Sequence, residues 1–76
     1  MNNFLLMTKK TEFRRLDKEL NGKRIRLIQM NDEPNPVPAG TEGTIFHVDD
    51  AGTIHVKWDD GSFLGVIIGV DEYSLL

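Results

Sequence analysis

An all-β domain behind a short helix is the fold class this chain predicts, and three observations carry the prediction. Apolar and polar residues alternate over 23–29, the period of a half-buried strand, and 43–48 and 53–58 read as strands too. Turn signals rich in Asp and Gly separate the later runs, at 49–52 and 59–62. One stretch, ahead of Gly22, has helical spacing.

The elements follow in order. Residues 1–7 read as a loose end. Within 8–21, Phe13, Leu16 and Leu20 fall at i, i+3 and i+7 and form one apolar stripe. Thr8 or Thr11 can cap its start, and Asn21-Gly22 can stop it. A helix this short is marginal in water by itself, so the stripe needs a surface to cover. KRIRLIQ (23–29) is the first strand, with Ile25 and Leu27 on one face and Arg24 and Arg26 on the other. The segment 31–41 carries Pro34, Pro36 and Pro38 and is a stiff extended loop, because proline breaks both helix and central strand. GTIFHV (43–48), TIHVKW (53–58) and SFLGVII (62–68) form a meander. Gly69–Glu72 is a tight turn, and 73–76 a short last strand.

This order is that of a small five-stranded SH3-like barrel (22–76) behind a basic arm with a short N-terminal helix (1–21). Hairpin geometry predicts Val48 opposite Ile54, His47 opposite His55 and Phe46 opposite Val56. Phe46, Val48, Ile54, Val56 and Trp58 then share the core face. A two-residue Asp60-Gly61 turn would set Trp58 opposite Phe63 and Val56 opposite Gly65.

Seventy-six residues make one domain with a small core. The chain has no cysteine, so neither a disulfide framework nor a thiolate metal site is expected. Phe4–Met7, four apolar residues, is too short for a signal or a membrane span. A cytoplasmic protein is the expectation. Charge is uneven. Residues 1–26 hold eight of nine basic residues against three acids, a net +5; residues 27–76 hold Lys57 against nine acids, a net −8. Lys9, Lys10, Arg14, Arg15 and Lys18 are candidates for binding a polyanion. The other expectation for these cations, given more weight, is docking on the acidic body through carboxylates such as Asp59, Asp60 and Asp71, in the same chain or a neighbour.

From Gly22 to Leu76, GKRIRLIQM, PVPAGTEGTI, VDDAGTIHVKWDDG and GVIIGVDEY resemble a bacterial family of small domains of unknown function, family four-three-one-four. Ile68 stands where that family often has proline, Asp60 where it often has asparagine, and Tyr73 where it has phenylalanine. The resemblance implies an N-terminal helix on a barrel and a genome of the phage or mobile-element kind, and it implies no activity. The middle is also similar to barrel repeats that bind peptides in some ubiquitin ligases.

Few residues invite chemistry. His47 and His55 could share a metal only with Asp49 or another carboxylate as a third ligand, and a solvent-facing pair is the plainer expectation. Asp32-Glu33, Asp49-Asp50, Asp59-Asp60 and Asp71-Glu72 fall mostly at turns, where Asp is expected for its backbone bonds. No spacing matches a calcium loop, a phosphate loop or a nucleophile–base pair. No catalytic residue, cofactor or metal is therefore predicted. The expected function is a non-enzymatic protein-interaction module, an adaptor or inhibitor that a mobile element uses against a host protein. Pro36, Val37, Pro38, Trp58, Tyr73, Asp59 and Asp60 are its candidate contacts. Trp58 and Phe63 are nonetheless expected in the core, since a small domain needs its large apolar groups there. A nucleic-acid accessory role through the arm is the alternative, and the helix could also join two copies of the chain.

Overall fold

The computed structural model describes the backbone from Asn2 to Leu76 and side chains from Lys10 onward. Helix α1 spans Asn2–Leu20. It begins well ahead of the predicted segment, because residues 2–7 contain neither Gly nor Pro and their leucines and methionine favour helix. It stops where expected. Asn21 N–H donates to Asp17 O (3.0 Å), Lys23 N–H to Leu20 O (2.8 Å), and Gly22 takes a φ of +86°.

The strands are β1 (Arg24–Gln29), β2 (Glu42–Val48), β3 (Thr53–Trp58), β4 (Val66–Ile67) and β5 (Glu72–Leu75). They form one antiparallel sheet in the order β4-β3-β2-β1-β5. The meander therefore runs β1 to β4, and β5 returns to the far side of β1. Backbone pairing leaves this sheet open, with β4 and β5 at its two edges. A side chain spans part of the gap. Asp71, in the turn before β5, accepts from Asn31 N–H with Oδ1 (2.9 Å) and from Ile67 N–H with Oδ2 (2.8 Å). Asn31 returns a bond from Nδ2 to Val70 O (2.7 Å). One carboxylate thus ties the end of β1 to β4.

Ile25, Leu27, Ile45, Val48, Ile54, Val56, Trp58 and Val66 are essentially inaccessible, with Leu20, Met30 and Val37 around them. Each such burial contributes about 1.5–3 kcal/mol. Val48–Ile54 and His47–His55 pair as predicted, but Phe46 does not face Val56. A β-bulge between Ile45 and His47 sets Ile45 against Val56 instead. The extra residue swings Phe46 outward, where it is 47% exposed, and gives its core place to Ile45.

The bulge lies where the helix attaches. β1 pairs with β2 only up to Thr44, so the rest of that β2 edge needs other partners. Gly22 N–H donates to Ile45 O (2.7 Å) and Ile45 N–H to Lys23 O (2.9 Å). Asn21 Nδ2 then donates to Phe46 O (2.8 Å), and Asp17 Oδ1 accepts from Val48 N–H (2.8 Å). Four helical residues rise about 6 Å and two strand residues about 6.6 Å. Two polar side chains one turn apart, Asp17 on α1 and Asn21 just past its end, therefore match two backbone groups on β2. Leu16 and Leu20 close the core beside them, and Phe13 lies against Gly52 of the β2–β3 turn.

The second hairpin also departs from expectation. Trp58 N–H donates to Ser62 O (2.9 Å), and Gly61, with a φ of +92°, donates to Trp58 O (3.0 Å). The loop is therefore Asp59-Asp60-Gly61, three residues rather than two. Phe63 no longer faces Trp58 and is 59% exposed. Residues 62–65 leave the strand, and the predicted 62–68 run shrinks to Val66–Ile67. The Trp58 indole N–H donates to Leu64 O (2.7 Å), giving a buried donor the partner it needs. Gly65 approaches Thr53, not Val56; a Cβ built there would lie 2.6 Å from the threonine methyl.

Candidate functional site

Two surfaces stand out. The first is aromatic. The bulge turns Phe46 outward and the three-residue loop turns Phe63 outward, and the two rings meet edge to face at 6.2 Å. Phe46 also lies 6.0 Å from the His55 ring, and His47 stacks on His55 at 5.6 Å. Each imidazole is held by a carboxylate. His47 Nδ1 lies 3.1 Å from Asp17 Oδ1, and His55 Nε2 lies 2.9 Å from Asp49 Oδ2. Asp49 is held chiefly by Thr53 N–H, then by His55, and also accepts from Ala51 N–H. These bonds lower its pKa below the ordinary carboxylate value. No group of three His, Asp or Glu among the described residues could hold a metal ion.

Next to this face runs a charged ladder. Arg24 grips both Asp59 oxygens and also donates to Thr44 Oγ1, and Arg26 pairs with Glu42 at 2.8 Å. The Arg24 bond lowers the Asp59 pKa, and Asp59 raises that of Arg24. Asp60 is lowered by Ser62, whose N–H and hydroxyl it accepts.

The second surface is the outer side of α1. At 3.6 residues per turn, the mean direction of Arg15 and Lys18 lies roughly 150° around the helix from that of Leu16 and Leu20. Lys10, Arg14, Arg15 and Lys18 are all exposed. Thr11, Arg14, Arg15 and Lys18 line a shallow groove of about 330 Å³. Arg14 reaches Asp50 at 3.5 Å; among the described residues Lys10, Arg15 and Lys18 make no ion pair. The side chain of Lys9 lies outside the described residues. Asp59, Asp60 and Asp71 do not receive these cations, because Arg24, Ser62 and the Asn31 and Ile67 amides already occupy them. The arm docks by its apolar stripe, Asp17 and Asn21, with Arg14 reaching Asp50 and Lys10, Arg15 and Lys18 exposed.

The predicted contact set is scattered. Trp58 (1% exposed) and Val37 (4%) are core. Pro36 and Pro38 are exposed, Tyr73 is half-buried against the core, and Asp59 and Asp60 are exposed but engaged as above. The loop is tied to β1 by Gly40 N–H to Leu27 O (2.7 Å) and Leu27 N–H to Thr41 O (2.9 Å).

Residues 9–76 match the model of a family described as a domain of unknown function (DUF4314). The chain belongs to that family. No curated protein and no solved structure matches it. The matched segment of this DUF4314 domain begins inside α1 and so includes Asp17, Asn21 and the Asp71 clasp. Sequence reasoning missed all three, along with the aromatic face. The spacing of Asp17 and Asn21, four apart beside the apolar stripe, is the one signal that could have shown the clamp. Among the described residues no helix is long and apolar enough to cross a membrane.

Proposed function

We propose that this domain is a small non-enzymatic protein-interaction module, an adaptor or inhibitor of the kind a phage or other mobile element directs at a host protein in the cytoplasm. The observation that carries this is the exposed Phe46–Phe63 pair. The chain has four phenylalanines, and two of them sit outside the core in mutual contact. Clustered exposed aromatics next to charged residues are the composition of an interface centre with its rim. His47 and His55 extend the patch, and the Arg24–Asp59 and Arg26–Glu42 pairs supply polar groups beside it. The frame is best read as an SH3-like barrel. Support comes from a strand order that returns β5 to β1, and from the Asp71 clasp between β4 and the end of β1.

The test is affinity capture from bacterial lysate, with and without nuclease, using the wild-type chain and a Phe46→Ser/Phe63→Ser variant. Discrete proteins held by the wild type after nuclease, and lost by the folded variant, are expected. Equal capture by both refutes the aromatic face as the site.

A further inference from the structure

We infer that the outer ridge of α1 is a docking face for the sugar–phosphate backbone of nucleic acid, separate from the aromatic face. The ridge carries Lys10, Arg14, Arg15 and Lys18, all exposed. Only Arg14 has a carboxylate partner among the described residues, and that contact is long and solvent-exposed at both ends.

Three kinds of anionic partner could meet such a ridge, and the structure favours one. A membrane surface calls for an apolar helix face alongside the cations. Among the described residues, the apolar side chains of α1, Phe13, Leu16 and Leu20, lie against the sheet. An acidic protein partner needs a desolvated anchor pocket. Among the described residues, the groove is lined by Thr11, Arg14, Arg15 and Lys18, none of them apolar. A phosphate backbone needs only the cations, because released counterions drive its binding. None of the described residues lining the groove is aromatic, so these residues recognise the backbone independently of base sequence.

Fluorescence anisotropy tests this with labelled duplex DNA, single-stranded DNA and RNA across a salt series. With about three cations engaged, log affinity should fall against log salt with a slope of about −3, so binding at about 50 mM salt is about thirtyfold tighter than at about 150 mM. Arg15→Glu/Lys18→Glu should abolish binding. Charge reversal crowds these positions against Glu12 and Glu19, so Arg15→Gln/Lys18→Gln is run beside it and should lower the slope by about two units. Lys57→Gln, on the sheet, should leave the slope unchanged. No binding at low salt, or a slope equal in wild type and ridge variants, overturns the inference. So does binding lost in Phe46→Ser/Phe63→Ser, which would move the nucleic acid to the aromatic face. Duplex binding by the wild type with no protein captured by it after nuclease would refute the proposed interaction module and leave this inference standing.

Discussion

Replacing Gly52 with alanine tests how α1 sits on the sheet. Gly52 has a φ of +90° and Gly61 a φ of +92°, so alanine suffers the same backbone penalty at both. Left-handed geometry costs an L-residue about 1–2 kcal/mol, while losing a glycine from the unfolded chain returns about 0.4–1 kcal/mol. A Cβ at Gly61 meets nothing within 4 Å, whereas at Gly52 it falls 2.9 Å from Phe13 Cζ and 3.2 Å from Cε2. Phe13 must then retreat and lose part of its burial, roughly 1 kcal/mol if half of a full phenylalanine contribution is lost. Gly61→Ala should therefore cost about 1 kcal/mol and Gly52→Ala about 2 kcal/mol, near 5 °C and 10 °C in melting temperature for a domain this size. In a Phe13→Ala background the two glycine changes should become equal, a coupling of about 1 kcal/mol in a double-mutant cycle. Calorimetry or denaturant melts provide the measurement. Equal costs at the two glycines, or additivity with Phe13→Ala, would show that the helix does not rest on the β2–β3 turn.

Asp71→Ala should destabilise the fold by about 2 kcal/mol or more, since it strips the side-chain partner from two amides. Hydrogen exchange should speed at both Asn31 and Ile67, and exchange rising at only one would refute the clasp. Acid should weaken the fold through Asp49. Its folded pKa lies below its ordinary value, so its contribution is fully present above the unfolded pKa of about 4 and is lost as pH falls through the folded value. Asp49→Asn should flatten the low-pH limb of stability against pH; an unchanged limb would exclude this carboxylate as its source.

Much of the fold was legible in the residues themselves. Alternation placed β1, Asp-Gly turn signals bounded the later strands, and proline marked the 31–41 loop, because strand period, turn chemistry and proline geometry act within a few residues. Asp49 and Gly52 identified the first turn for the same reason: its hydrogen bonds close inside five residues. Tertiary structure decided what no local pattern encodes. Whether Phe46 or Ile45 entered the core depended on a bulge at the place where α1 takes over the β2 edge. The helix selects it with Asp17 and Asn21, some 25–31 residues away in sequence. Phe63 turned outward because the second loop took three residues and the buried indole needed the Leu64 carbonyl. The charges tell the same story. Composition showed a basic arm and an acidic body, whose attraction alone would bring them together. Packing of Leu16 and Leu20 fixed the rotation of the helix instead, and that rotation leaves Arg15 and Lys18 facing solvent.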